Sequence, residues 1–433
     1  MSVQHEQVAL PPTIGSGKRS FAEAILRRIL RRLECGQLVV ETPDGERLVF
    51  NGKHPGPLAR LAIHRWRSIW RLATGCDVGF AEAYLAGDWS TPNLDALFKL
   101  ACANNIAEPT WLHRVLGAGR KIRHALNRNT RRGSRRNISA HYDLGNDFYR
   151  QWLDAGMSYS SALFSATDQT LEEAQTAKLD RIIDLLDVSG RERILEIGCG
   201  WGSLAERMLE RTDCTLIGLT LSIEQLKWAE KRLKDRDLLD RCELRLQDYR
   251  DVSGEYDRIV SIEMLEAVGE AYWPRYFEVL RGRLARDGIA VIQVITIDED
   301  LFEGYRRRPD FIQNHIFPGG MLPTVRIVEQ QAAKAGLRIV AREAFGDSYA
   351  QTLDAWQRRF QKSWPLLQNM GFDERFKRTW EYYLAYCQAG FETRALNVGL
   401  FKLVREPGLP GSSDARPGAK PRRRAAPPEK VAR

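Results

Sequence analysis

Residues Arg193–Glu210 read RILEIGCGWGSLAERMLE: a short apolar run, a turn carrying Gly198, Gly200 and Gly202, then apolar residues at helical spacing. Short and bounded by glycine, the run predicts a buried strand. The glycines predict a tight turn whose backbone approaches a ligand closely, with the next helix directing its N-terminus at that ligand.

Outward from this unit, apolar runs predict strands at RILEIG, CTLIGLT, CELRLQ, DRIVSI, IAVIQVIT, LRIVAREAF and VGLFKLVR. Helical spacing over Leu204–Arg211, Ile223–Leu233 and Tyr272–Leu284 separates the first five. Such alternation predicts βαβ units and a mostly parallel sheet, with ligands at its C-terminal edge. Residues 298–331, which include FIQNHIFPGGMLP, interrupt the alternation and are expected to cover the site as a lid. The G-x-G-x-G spacing with Glu196 at the strand end is the pattern of class I S-adenosylmethionine methyltransferases rather than the G-x-G-x-x-G of dinucleotide folds. The second strand runs into GLTLSIEQ without an acid for a ribose, which disfavours NAD. Asp248 follows the third strand, where a carboxylate can accept from an adenine amino group.

The 433 residues carry a net charge of +9 and 43% apolar residues, enough for a sizeable core and two or three domains. Residues 1–20 and the Pro-, Gly- and Arg-rich tail 406–433 are expected to be disordered. A unit over 21–110 contains a helix with basic flanks, RRILRR, and a hairpin, QLVVETPDGERLVFNG, turned by Pro43, Asp44 and Gly45. In LAIHRWRSIWRLA, Ile63, Trp66 and Trp70 predict a core-facing helical stripe with solvated arginines between. The connection 111–136 is basic: nine Lys or Arg and no acid lie between Arg114 and Arg136. Such patches suit an anionic lipid surface or nucleic acid. No RNP-type stacking motif accompanies them, so nucleic acid is not expected. Without an eighteen-residue apolar run or signal core, the chain is expected to be soluble and cytoplasmic. Seven scattered cysteines with no C-x-x-C pair argue against a zinc site or a disulfide framework.

From AEAYLAGDW (Ala81–Trp89) to Arg405 the chain resembles the cyclopropane-fatty-acyl-phospholipid synthase family. The matching segments are HYDLGNDFYRQWLDAGMSYSSALF, LEIGCGWG, GLTLSIEQ, YDRIVSIEMLEAVG, FIQNHIFPGGMLP, YAQTLDAWQRRF and YYLAYCQAGF. The resemblance implies a Rossmann-like class I methyltransferase domain over 137–405, seven-stranded and mostly parallel, behind an α+β accessory domain that engages lipid. It also implies transfer of the S-adenosylmethionine methyl to the double bond of a phospholipid acyl chain, on an anionic inner membrane face, by a homodimer. Tyr159 and Ser160 would contact the cofactor, Thr220 and Gln225 its ribose and methionine side, and Asp248 with Tyr249 its adenine end.

Methylating an alkene leaves a carbocation, which aromatic faces stabilise without trapping it. Tyr142, Phe148, Tyr159, Tyr272, Trp273, Tyr349, Trp356, Phe360, Tyr382 and Tyr383 are the supply. In the family a bound bicarbonate then removes a proton so that a cyclopropane closes; it is held by a Cys, a Glu, a His, a backbone group after that His, and a Tyr. Glu266 and Tyr349 match the Glu and the Tyr, but Ser161 stands for the Cys and Gln293 for the His. Ser and Gln still donate hydrogen bonds to bicarbonate, so its site is expected to survive, without the electrostatic help of a protonated His. Otherwise the product becomes a methyl-branched alkene or a methylene chain. Glu263, three residues before Glu266 and on its face if the segment is helical, is a candidate base. Amine N-methyltransferases resemble the chain around SIEMLE, but carry a His where Ala267 stands and lack the N-terminal domain.

Overall fold

The computed structural model describes residues 21–104, 144–166 and 168–407. The expected loose first twenty residues, the basic connection 111–136, Tyr142 and the tail beyond residue 407 lie outside the described residues.

The quoted strand, β5 (Arg193–Ile197), sits in a seven-stranded sheet with β6 (Thr215–Thr220), β7 (Cys242–Leu246), β8 (Tyr256–Ile262), β9 (Leu284–Ile297), β10 (Leu337–Ala344) and β11 (Leu396–Arg405). Their order is β10-β11-β9-β8-β5-β6-β7, and each strand coincides with one of the seven predicted apolar runs. Pairing is parallel from β9 to β7, while β11 runs antiparallel between β9 and β10. Ile194, Leu195, Val260, Ala290, Val291 and Ile292 have no exposed surface, as expected for strands covered on both faces. The sheet is the Rossmann-like α/β architecture that its pattern predicts.

A second sheet, β2-β1-β3-β4, joins β1 (Cys35–Glu41), β2 (Arg47–Asn51), β3 (His54–Ile63) and β4 (Trp89–Ser90). The β1–β2 hairpin turns as predicted: Gly45 has φ 80° and its N–H donates to the Thr42 carbonyl. The tryptophan stripe departs from expectation. Ile63 ends β3, the next helix spans Arg67–Leu85, and Trp70 is 43% exposed. Period alone could not separate strand from helix across Ser-free LAIHRWR, because tertiary pairing of Ile63 with Trp89 decides it. The interleaved arginines are not simply solvated. Arg67 binds the fully buried Asp88 at 2.7 Å, with Arg71 at 3.3 Å and Arg65 at 3.4 Å.

The accessory unit shares one core with the large domain. Phe98 meets Tyr382 edge-on at 4.8 Å between ring centroids, and Tyr84 lies 5.8 Å from the same ring. Tyr382 belongs to the helix Glu374–Glu392, to which Lys99 is tied by an ion pair with Glu392. Burying rings of this size contributes on the order of 2 kcal/mol each, so the two units are fixed by packing.

Candidate active site

Parallel strands deliver their following residues to one edge, and there the glycine turn opens. Gly198 and Gly200 have φ 84° and 53°, and a Cβ on Gly200 would stand in open space. Gly202, φ 85°, begins the helix Ser203–Arg211, and a Cβ there would meet Ala229 at 3.0 Å. The turn is therefore glycine for conformation and close packing, and its open side faces a cavity of about 1370 Å3.

Tyr159, Ser160, Glu196, Gly198, Gly200, Thr220, Gln225 and Tyr249 all line this cavity. The Thr220 hydroxyl donates to Gln225 Oε1 at 2.9 Å, so the two act as one polar edge. Glu196 is buried with Oε2 unpartnered among the described residues, and burial pushes its carboxyl up to about 8. An unpartnered carboxylate oxygen beside an open glycine turn suits a hydroxyl- and amine-rich cofactor, and S-adenosylmethionine fits these residues. Asp248 is placed differently. Its oxygens accept from Arg250 Nε at 2.8 Å and Nη2 at 2.6 Å, and Gln247 and Tyr249, not Asp248, line the wall.

One residue that the sequence reading missed is Lys178. Its fully buried ammonium donates to Ser160 Oγ at 2.9 Å, and burial lowers it to about 8 against the pull of Glu263, Asp154 and Glu196. The signal was present: Lys178 falls on the stripe Leu171, Ala174, Leu179 and Ile182 of the helix Leu171–Leu186.

The second cluster gathers all five expected catalytic residues, in an arrangement the sequence did not suggest. Glu263 is not helical. It follows β8 at φ 48°, its N–H donates to the Gln293 carbonyl, and the next helix starts at Leu265. This left-handed conformation is uncommon for a non-glycine residue and costs on the order of 1 kcal/mol. Glu263 Oε1 accepts from the Ser161 N–H at 2.9 Å and from Gln293 Nε2 at 2.7 Å. Its Oε2 accepts from the Tyr349 hydroxyl at 2.7 Å. The half-buried Glu263 also lines the cavity. Glu266, buried in the same wall, accepts from the Ile295 N–H at 2.5 Å while its Oε2 has no partner among the described residues. The Ser161 hydroxyl is spent on the Ala162 carbonyl at 2.9 Å.

These contacts test the bicarbonate expectation, and the residues do not fit it. The donors of Ser161, Gln293 and Tyr349 converge on Glu263, and that of Ile295 on Glu266. An anion at these donors would sit against the charged Glu263 carboxylate with its donors already engaged, which like-charge repulsion opposes.

Burial raises both carboxyls, Glu266 to about 8. Glu263 has three donors and Lys178 to stabilise its charge, whereas Glu266 has only main-chain donors and the repulsion of Glu263. Environments that differ in this way assign the charge to Glu263 and the proton to Glu266.

Of the aromatic residues, Tyr159, Tyr349, Tyr382 and Tyr383 line the cavity, and the hydroxyls of Tyr159 and Tyr383 are 2.9 Å apart. Phe148, Trp273, Trp356 and Phe360 are buried in packing. Residues 298–331 supply Leu301, Tyr305, Phe317 and Met321 to the wall, and the Met321 N–H donates to the Glu266 carbonyl at 2.8 Å. From the accessory unit come Leu30, Leu38, Leu61, Leu97 and Phe98.

A profile of the family described as mycolic acid cyclopropane synthetase matches residues 129–401. The tuberculostearic acid methyltransferase of Mycobacterium tuberculosis is 40% identical over 88% of this chain and 91% of its own length. The cyclopropane-fatty-acyl-phospholipid synthase of Escherichia coli is 35% identical over 84% and 91%. Among solved structures, the cyclopropane synthase MmaA2 of Mycobacterium tuberculosis superposes with a TM-score of 0.59 at 32% identity, covering 63% of this chain and 98% of that one. The glycine turn and the paired carboxylates thus sit in a chain that belongs to the cyclopropane synthase family, S-adenosylmethionine-dependent C-methyltransferases of lipid acyl chains.

Proposed function

We propose that the protein transfers a methyl group to the double bond of an unsaturated phospholipid acyl chain. One observation carries this reading: a single cavity joins the glycine turn, the Glu263–Tyr349 cluster and an apolar end in the accessory unit. Its volume, about 1370 Å3, exceeds the usual range for one small ligand and has room for a cofactor and an acyl chain together. S-adenosylmethionine supplies an electrophilic methyl on sulfonium. Glu196, Gln225 and the glycine turn hold it, while Leu38, Leu61 and Phe98 take the far end of the chain. The hydrocarbon walls exclude water and align a weak nucleophile, which is where most of the acceleration must come from. Tyr159 and its neighbours face the developing cation.

Ring closure to a cyclopropane is the first reading of the product. The arrangement of Glu263 favours a second, a methyl-branched alkene or methylene chain, because the donors for an exogenous anion are bound to a side chain. The surface of the phospholipid membrane is the proposed working place. Arg28, Arg31 and Arg32 are exposed on and after the first helix, and each basic side chain near an anionic leaflet contributes roughly 1 kcal/mol. No described helix is long and apolar enough to cross a membrane. A homodimer is proposed from the family resemblance and is tested by light scattering.

The test is expression followed by mass spectrometry of the lipid extract: phospholipid acyl chains should become heavier by one methylene unit. Unchanged phospholipids with a methylated free acid would move the substrate away from phospholipid. Chromatography of the esters separates cyclopropane from alkene products.

A further inference from the structure

We propose that the Glu263 carboxylate is a built-in proton acceptor that takes the place of a diffusible anion. The inference deepens the acyl-methylation reading and rests on it. Four observations converge. Glu263 lines the cavity in which the reacting chain would lie. It receives the Ser161 N–H, the Gln293 amide and the Tyr349 hydroxyl, three donors on different elements arranged as a receptor for one carboxylate-sized anion. The main chain is held at φ 48° to deliver that carboxylate, where glycine would be at ease. The neighbouring Glu266 is left with the proton and with an oxygen that has no partner among the described residues, so it does not compete for the role.

The step balances without any further reagent. The π pair of the alkene forms the new C–C bond to the methyl carbon, and the S–C bond breaks with its pair staying on sulfur. The adjacent chain carbon is left cationic. A proton then passes to Glu263 by one of three routes. It leaves the added methyl, whose C–H pair closes the ring, or the methyl-bearing carbon, whose pair becomes the chain double bond. In the third, that carbon's hydrogen first shifts with its pair to the cationic carbon, and the proton then leaves the added methyl, whose pair becomes a methylene double bond. Glu263 returns the proton to solvent before the next turnover.

The experiment compares the native enzyme with Glu263→Gly and Glu263→Gln in carbon dioxide-free buffer, with and without added bicarbonate or formate. The native rate is expected to be unchanged by bicarbonate. Glu263→Gln should lose about a hundredfold or more in rate with the cofactor Kd unchanged, as for removal of a general base. Glu263→Gly, relieved of its strained backbone, should lose the rate and regain part of it with millimolar bicarbonate or formate. A native rate that falls without bicarbonate and returns with it, or a fully active Glu263→Gln, overturns the proposal. Thermal denaturation supplies an arm independent of turnover. Bicarbonate should raise the Tm of Glu263→Gly and leave the native Tm unmoved, and equal stabilisation of the native protein overturns the proposal. Should the native enzyme methylate no acyl chain, the functional reading fails, and the thermal arm still decides whether Glu263 fills the anion site.

Discussion

The Tyr349 hydroxyl donates to Glu263 Oε2 at 2.7 Å, linking the long helix Gly346–Asn369 to the turn after β8. A phenol in that position supports the charged carboxylate and fixes its rotamer. Tyr349→Phe is expected to lower kcat about ten- to a hundredfold while leaving the cofactor Kd unchanged, the cost of one hydrogen bond to a charged group. Stopped-assay kinetics with separate cofactor titration checks both parts.

The acid side of the pH profile should follow Glu263. Burial holds its carboxyl above the ordinary 4.5, and Ser161, Tyr349, Gln293 and the Lys178 charge pull it partly back. Activity is therefore lost as pH falls through this raised value, when the acceptor becomes protonated. Lys178→Met removes one of the groups that favour the charge, so the acid limb of kcat should move to higher pH. A limb that stays in place would separate Lys178 from Glu263.

Stability should respond to pH through the buried carboxyls. Glu266 titrates at about 8 in the folded chain and near 4.5 when unfolded. Between those values the folded chain keeps a proton that the unfolded chain has released, so this contribution falls as pH rises and levels off above about 8. Glu196 behaves in the same way. Glu266→Gln is expected to gain Tm relative to the native protein from about pH 5 to about pH 8, read by calorimetry across that range.

Asp88 is fully buried beneath Arg65, Arg67 and Arg71. Asp88→Asn should destabilise the protein by about 1–3 kcal/mol, because its charge-assisted bonds weaken while the half-exposed arginines regain water. Urea denaturation measures the change.

At the other end of the cavity, Leu61 is buried yet lines the wall. Leu61→Trp should shift methylation toward shorter acyl chains at a stability cost of about 1–3 kcal/mol. The chain-length distribution of the products checks it, and an unchanged distribution would remove the accessory unit from the substrate path.

How much of this was legible in the sequence depends on the range of the interaction. The seven strands and the Gly45 hairpin were readable because period and turn residues are local properties. The position of Glu263 was not. A helical reading put it on the face of Glu266, whereas the β8–β9 ladder extends one residue further, to the Glu263 N–H, and directs the chain otherwise. Ser161 was legible as a residue and illegible as a contact, since it is the main-chain N–H that binds Glu263 and the hydroxyl that turns away. Lys178 was legible as a charge on an apolar stripe, but what it neutralises comes from three distant segments.

The most direct measurement supplies the enzyme with S-adenosylmethionine carrying a deuterated methyl and unsaturated phospholipid vesicles, then weighs the acyl chains. Labelled chains one methylene unit heavier are expected, with one deuterium lost if the proton left the added methyl, and none lost if it left the chain. Acyl chains without label, in the presence of bound cofactor, would contradict it.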